Sequence, residues 1–328
     1  MIGGMGLSVS SISWMGIWMG MEISLLGIYG VFCGNFSQNE IMASLKYFMI
    51  QALSANLILM GFLFRDWGVL SSVWGELVVY FAIFLKVGVF PFYYWVMPVM
   101  SGLSWPASWL FCTLQKIIPL MAFSVMLESF LVLGDICALL SVMLGGIEGM
   151  RQNSIRGIFA FSSIGQSGWL LLLCGRGDSM SVVMFSVFYS VILMTVFWSF
   201  FKYDPYSFSF MNVGFLSENF LKVYNVVVVF SLMGLPPLCG FIPKVLVLCE
   251  VGFSLGMFSL LLLWAVLAAM WFYSSFLFCW MMESYGSYYF FGMSKFLTGK
   301  LDNLMIFLFF SFNLWGGLLY FLWAMGNS

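Results

Sequence analysis

Long apolar runs separated by short polar segments make up almost the whole chain. Each run is close to the roughly 20 residues that a membrane-crossing helix requires. The pattern predicts ten such helices, over residues 7–33, 41–64, 73–98, 105–127, 130–148, 155–173, 179–201, 221–251, 254–282 and 304–325. No hydrophilic stretch between them is long enough for a separate soluble domain. We therefore expect an all-α integral membrane protein in which residues 1–328 form a single transmembrane domain.

Composition supports this class and excludes several functions. Only 8% of the residues are charged, against about 25% in soluble proteins. Twelve basic and 13 acidic side chains nearly balance, so no concentrated basic surface for nucleic acid is expected. The absence of histidine excludes haem ligation by histidine, histidine zinc sites and Ser-His or Cys-His nucleophiles. The seven cysteines form no C-x-x-C motif and are expected to pack as small apolar groups.

The distribution of lysine and arginine among the loops predicts the orientation of the chain. Loops after odd-numbered spans carry six basic residues: Arg151, Arg156, Lys202, Lys222, Lys295 and Lys300. Loops after even-numbered spans carry two, Arg65 and Arg176. This bias places both termini on the outer, positive side of the membrane.

Four charged residues lie deep within apolar runs: Glu22, Lys86, Lys116 and Lys244. A charge at the centre of a bilayer costs about 2.5–3.5 kcal/mol on insertion scales. Residues this costly usually face one another or a water-filled cavity. A lysine that is paired with a carboxylate holds its proton, and a lysine that separates from it in an apolar environment releases it. A Glu–Lys pair can therefore act as a protonation switch.

Seven of the eight prolines fall in the three spans that contain the deep lysines, residues 73–98, 105–127 and 221–251. Proline removes a backbone hydrogen bond and leaves a carbonyl free. Membranes tolerate such broken helices where they line a cavity, as in transporters. Proline-broken helices with central lysines thus favour an ion route.

Simpler interpretations of the same residues stay open at this point. Glu22, Lys86 and Lys116 could form static ion pairs, and Lys244 could extend its ammonium group to the interface from a re-entrant turn. Lys46 lies six residues into its span, so extension to the interface is favoured there over a secondary role in the relay. Ser162, Ser163, Gln115 and Gln166 could carry a water wire or join helices by hydrogen bonds.

Several motifs occur in an order that resembles a known family. They are MEISLLGIY, LKYFMIQA, KVGVFPFYYWV, LQKIIPL, RGIFAFSSIGQSGW and SLMGLPPLCGFIPK. Over roughly residues 15–280 the chain resembles the subunit 2 family of mitochondrial NADH:ubiquinone oxidoreductase, respiratory complex I. KVGVFPFYYWV and GLPPLCGFIPK are the most specific matches, because each contains both a lysine and its proline context.

The resemblance implies a proton-translocating, antiporter-like subunit without a redox centre, in the inner mitochondrial membrane with both termini on the intermembrane-space side. It implies that Glu22 pairs with Lys86, that Lys116 is the central relay lysine and that Lys244 belongs to the second broken helix. NADH, FMN, iron–sulfur clusters and ubiquinone are expected in partner subunits. The expected partners are the other membrane-arm subunits and lipids.

The chain also departs from the family pattern. Arg156, Gly157 and Phe161 stand where many animal relatives have a basic pair and a tyrosine, and Gln166 lies near the position of a frequent histidine. A water path through Ser162 and Ser163 is less secure for that reason. The 21 residues before Glu22 are too few for the complete helix that animal relatives usually place there.

Two other functions share some of these features. A cation/proton antiporter subunit would use the same broken helices and lysines, exchange Na⁺ and need no NADH-oxidising partners. A non-transporting membrane scaffold would hold the lysines dry and paired. The clustering of prolines in the lysine-bearing spans weighs against the scaffold.

Overall fold

A computed structural model describes residues 1–11, 13–34, 37–67, 72–126, 131–176, 179–203, 219–236, 238–252, 256–286, 311–313 and 316. Within these residues all regular secondary structure is helical. The helices are α1 (Ile2–Ser10), α2 (Trp14–Phe32), α3 (Gln38–Trp67), α4 (Ser72–Val87), α5 (Val96–Gly102), α6 (Trp105–Cys112), α7 (Leu114–Met126), α8 (Leu131–Met150), α9 (Ile155–Arg176), α10 (Ser179–Tyr203), α11 (Asn219–Met233), α12 (Phe241–Gly252) and α13 (Gly256–Gly286).

Seven helical stretches in the described residues are long and apolar enough to cross a membrane. Large apolar side chains such as Met49, Leu53 and Leu267 are exposed on the outside of the bundle, whereas serines and the deep lysines are buried inside it. A soluble protein shows the opposite arrangement. The predicted class, an all-α integral membrane protein, is confirmed.

The first predicted span, 7–33, is wrong as a single helix. The chain breaks between α1 and α2, where Ser11 and Ser13 both have extended backbone conformations. The Ser13 side chain accepts a hydrogen bond from the backbone N–H of Gly16 and so starts α2. Serine favours such a cap because its hydroxyl oxygen satisfies one of the free N–H groups at a helix start. The short helix α1 packs along α2.

Two of the lysine-bearing spans, 73–98 and 221–251, are each divided into two helices. Helix α4 ends before Gly88, which has φ +76°, and helix α11 ends before Gly234, which has φ +79°. Glycine adopts this left-handed conformation without steric cost and is a common helix terminator. A proline-containing turn follows each glycine, and α5 and α12 then continue.

The third lysine-bearing span, 105–127, breaks at a threonine, so the prediction of a proline-broken helix is wrong there. Thr113 separates α6 from α7 with φ −112° and ψ −80°. Pro106 lies at the start of α6, where a missing N–H has no cost, and Pro119 lies inside α7. The carbonyl of Trp109 accepts a 2.7 Å hydrogen bond from the Thr113 hydroxyl and a 3.1 Å bond from its backbone N–H.

Helix α9 lies at the centre of the described bundle and is almost entirely buried. It contacts α5, α7, α8, α10 and α12, and α13 packs against α8. Close packing of α8 and α9 depends on two facing glycines, because a Cβ atom on Gly145 would lie 2.9 Å from the Cα of Gly165. The predicted span 304–325 and the loop lysines Lys295 and Lys300 lie almost wholly outside the described residues.

Candidate functional site

The structure brings Glu22 and Lys86 together across α2 and α4. The Nζ atom of Lys86 lies 3.5 Å from Oε1 of Glu22, and the lysine side chain is 4% exposed against 28% for the glutamate. Lys86 occupies the last turn of α4, and its backbone carbonyl accepts a 3.0 Å hydrogen bond from the side-chain amide of Gln51. Gln51 thereby anchors the end of α4 to α3 beside the ion pair.

The Glu22–Lys86 pair is a contact of charges without a hydrogen bond of normal geometry. Among the described residues, Oε1 of Glu22, Nζ of Lys86 and the hydroxyl of Tyr47 are buried and lack a hydrogen-bond partner. The Tyr47 hydroxyl lies near enough to Glu22 to interact with its charge. Buried polar atoms without a protein partner usually contact ordered water. This end of the site is therefore suited to hydration.

Lys116 projects from the first turn of α7 towards α9. Its ammonium group donates a 2.7 Å hydrogen bond to the backbone carbonyl of Ser163, and the residue is buried. The Cys112 thiol, one turn earlier in the chain, lies close to both Lys116 and Ser163. In the described part of the chain Lys86 forms a salt bridge, whereas Lys116 is held by a neutral carbonyl.

Lys244 lies in the first turn of α12, next to the break between α11 and α12. Its ammonium group donates hydrogen bonds to the carbonyls of Leu232 (3.4 Å) and Met233, the last residues of α11. The C-terminal carbonyls of a helix lack intrahelical partners and carry partial negative charge, so they attract a cation. The broken helix therefore creates the binding site for its own lysine.

A small cavity adjoins Lys244 inside the bundle. Its polar lining comes from Lys244, from Ser162 and Gln166 on α9 and from Tyr273 on α13, and its volume is about 30 Å³. That volume has room for about one or two water molecules. With several polar groups around it, the cavity meets the requirements for ordered water.

The secondary candidates are placed differently. Ser162 and Ser163 are buried on α9, where Ser162 lines the cavity and the Ser163 carbonyl binds Lys116. Lys46 is exposed on the outer side of α3, away from the buried face that carries Tyr47 and Gln51. The structure therefore does not bring Lys46 together with the buried lysines.

Sequence reasoning missed three buried tyrosines near the charged groups: Tyr47, Tyr189 and Tyr273. Each hydroxyl is buried without a hydrogen-bond partner in the described residues. In the sequence these tyrosines stand in apolar runs rich in phenylalanine, where an aromatic side chain is usually part of the core. Only the folding of the helices shows that their hydroxyls face polar groups.

Residues 11–272 match the model of a family described as NADH:quinone oxidoreductase/Mrp antiporter, TM. NADH-ubiquinone oxidoreductase chain 2 of Anopheles gambiae is 34% identical over 251 residues, which cover 74% of this chain and 72% of that protein. The chain belongs to the NADH-ubiquinone oxidoreductase chain 2 family. The resemblance inferred from the ordered motifs is thus confirmed.

Chains of two solved membrane complexes have the same fold as this protein. A chain of respiratory complex I from Thermus thermophilus with bound aureothin superposes with a TM-score of 0.82 at 19% identity, covering 96% of this chain and 75% of that one. A chain of the Mrp complex from Dietzia sp. DQ12-45-1b gives a TM-score of 0.71 at 19% identity, covering 87% and 58%. The antiporter-like fold predicted for this chain is confirmed.

Proposed function

We propose that Glu22, Lys86, Lys116 and Lys244 form the proton route of this chain 2 family member, which is a proton-translocating membrane subunit of respiratory complex I. The observation that carries the proposal is the burial of three lysines inside the bundle, only one of which faces a carboxylate in the described residues. Lys86 faces a carboxylate at 3.5 Å. Lys116 and Lys244 bind backbone carbonyls.

The Glu22–Lys86 pair is suited to act as the switch. Two buried charges at this distance stabilise each other, but no hydrogen bond of normal geometry fixes them in the described residues. Glu22 is the more exposed partner, so its side chain is the freer to move. When Glu22 moves away, Lys86 becomes a buried cation without a counter-ion, which is strongly unfavourable. Passing its proton on to neighbouring water relieves that cost.

Lys116 and Lys244 are suited to accept and release the proton in turn. Each ammonium group is held by carbonyl dipoles rather than by a full negative charge. Carbonyl dipoles stabilise the ammonium form less than a carboxylate would, so the neutral amine is easier to reach. These two lysines would then carry a proton along the middle of the membrane without leaving their positions.

The remaining parts of the reaction belong to partners. We place NADH, FMN, the iron–sulfur clusters and ubiquinone in other subunits, since oxidation of NADH and reduction of ubiquinone must supply the energy. The multi-pass bundle would lie in the inner mitochondrial membrane beside other membrane-arm subunits and lipids, without binding nucleic acid. The loop charges favour termini on the intermembrane-space side.

The proposal is tested by Lys116→Ala in the assembled complex, reconstituted in sealed vesicles. The expected result is normal assembly with fewer protons transported per NADH oxidised. Transport at the normal ratio would contradict the relay and favour a scaffold. Exchange of Na⁺ for protons without NADH would instead favour the cation/proton antiporter, whose fold the chain shares.

A further inference from the structure

The hydroxyl of Tyr273 is a buried polar group that the four charged residues do not explain. Tyr273 is 2% exposed, and within the described residues its hydroxyl oxygen has no hydrogen bond of normal geometry. The side chain lines the cavity that also contains Lys244, and its hydroxyl lies beside Ser162. A buried tyrosine hydroxyl usually finds a partner. The Ser162 oxygen and water in the cavity are the partners that this geometry allows.

The neighbouring serines cannot take the place of Tyr273 in a proton path without breaking bonds. Ser162 donates a 2.8 Å hydrogen bond to the carbonyl of Phe159, and Ser163 donates one of 2.8 Å to that of Ala160. A hydroxyl group has a single proton to donate. Both serines therefore act as acceptors in this arrangement, whereas the proton of Tyr273 is not committed to a backbone group.

A second tyrosine extends the polar region towards Lys116. Tyr189, on α10, is 5% exposed, and its hydroxyl also lacks a partner among the described residues. It interacts electrostatically with Cys112 and with Tyr273, and Cys112 in turn lies close to Lys116. Lys116, Cys112, Tyr189 and Tyr273 are thus successive neighbours, and water must bridge the gaps between them because neither tyrosine hydroxyl has a hydrogen-bond partner in the described residues.

We infer that the Tyr273 hydroxyl, hydrogen-bonded to ordered water in this cavity, is a proton-transfer group between Lys116 and Lys244. The inference rests on the proposed relay and adds a residue to it. A proton that leaves the Lys116 ammonium group reaches the Tyr273 oxygen through Tyr189 and bridging water, since neither tyrosine hydroxyl has a hydrogen-bond partner among the described residues. The original Tyr273 proton passes to a cavity water, and that water gives a proton to neutral Lys244. One proton has then moved, and both tyrosines and the water are unchanged.

The substitution Tyr273→Phe tests this step because it removes one oxygen atom and keeps the ring. Tyr224→Phe is the matched control, since Tyr224 is equally buried but lies beside Thr195 and outside the cavity lining. Proton transport coupled to NADH oxidation is measured with the assembled complex in sealed vesicles. A positioned proton-transfer group contributes about a hundredfold or more to its step. We expect at least a tenfold loss of coupled transport for Tyr273→Phe, a larger solvent deuterium isotope effect and little change for the control.

The outcomes separate this inference from the relay itself. If Lys116→Ala lowers transport while Tyr273→Phe leaves both the transport rate and the isotope effect unchanged, the tyrosine has no role and the relay stands. If neither substitution changes transport, both proposals fail. A loss for Tyr273→Phe without a rise in the isotope effect indicates a packing role and also overturns the inference.

A second measurement needs no variant and decides the case if Tyr273→Phe does not assemble. A structure of the unmodified complex that resolves ordered water should show density in the cavity, within hydrogen-bonding distance of the Tyr273 oxygen and the Lys244 nitrogen. An empty cavity would overturn the inference.

Discussion

The Oε1 atom of Glu22 and the Nζ atom of Lys86 lie 3.5 Å apart, and within the described residues neither has a hydrogen-bond partner of normal geometry. The two charged groups are therefore close together, but no hydrogen bond in the described residues holds them in one orientation. A static structural ion pair normally needs good hydrogen-bond geometry to offset the cost of burying two charges. This relationship favours a protonation switch over a static ion pair.

Lys86→Ala should lower proton transport and coupled turnover while leaving assembly largely intact. The substitution removes the cation. Glu22 can then take up a proton or turn its carboxylate towards the exposed part of its surroundings. The measurement is the number of protons transported per electron by the purified complex in sealed vesicles.

Lys46→Ala is the matched control for that experiment. Lys46 is exposed on the outside of α3, which agrees with a side chain that extends towards the interface. Its removal should change transport little. An equally large defect for Lys46→Ala would show that the loss does not report on the buried site.

Lys116→Arg should abolish transport even though the positive charge remains. A guanidinium group stays protonated under all ordinary conditions, so it can hold the Ser163 carbonyl but cannot pass on a proton. If Lys116 serves only as a fixed cation, the arginine variant will transport normally. Proton transport and a native-gel assay of assembly distinguish the two cases.

Gly234→Ala should disturb the Lys244 site, although it adds only one methyl group. Gly234 has φ +79°, a conformation that costs about 1–2 kcal/mol for a residue with a side chain. A Cβ atom there would lie 2.9 Å from the Lys244 nitrogen. We expect lower thermal stability and reduced transport. Unchanged values for both would mean that the turn relaxes without moving the lysine.

Arg156→Ala should affect stability but not the ratio of protons to electrons. The guanidinium group donates a 2.9 Å hydrogen bond to the Ser101 carbonyl and lies 5.0 Å from the centre of the Trp105 ring. These contacts join α9 to α5 and α6, and their loss should cost about 2 kcal/mol or more. Thermal unfolding of the purified complex measures that cost. A changed proton ratio in the surviving complex would assign Arg156 to the proton route.

The charged part of the site could be predicted from the sequence because a lysine or glutamate within a long apolar run is conspicuous. The partners of these residues could not all be predicted. Lys116 and Lys244 bind backbone carbonyls, and backbone groups carry no signature in the sequence. Tyr273 follows Phe272 in the run AMWFYSSF, and the two differ in the sequence by one hydroxyl group.

The class of the fold was predicted, and so were breaks within spans 73–98 and 221–251, but the breaks near Ser11 and at Thr113 were not. Apolar runs predict where helices lie, yet they pass without interruption through the serines near Ser11 and through Thr113. At those breaks the hydroxyl groups of Ser13 and Thr113 bond to nearby backbone atoms. The prolines indicated which lysine-bearing spans are broken, but α4 and α11 end at glycines, Gly88 and Gly234.

The central claim is that a hydrated path joins the buried lysines of this complex I subunit. A structure of the complex extracted from its membrane, at a resolution that shows ordered water, tests it most directly. The account predicts water molecules that connect the surroundings of Lys86, Lys116 and Lys244 inside a large NADH-oxidising assembly. Dry lysines, each fully paired with protein groups, would contradict it and leave these charges with a structural role.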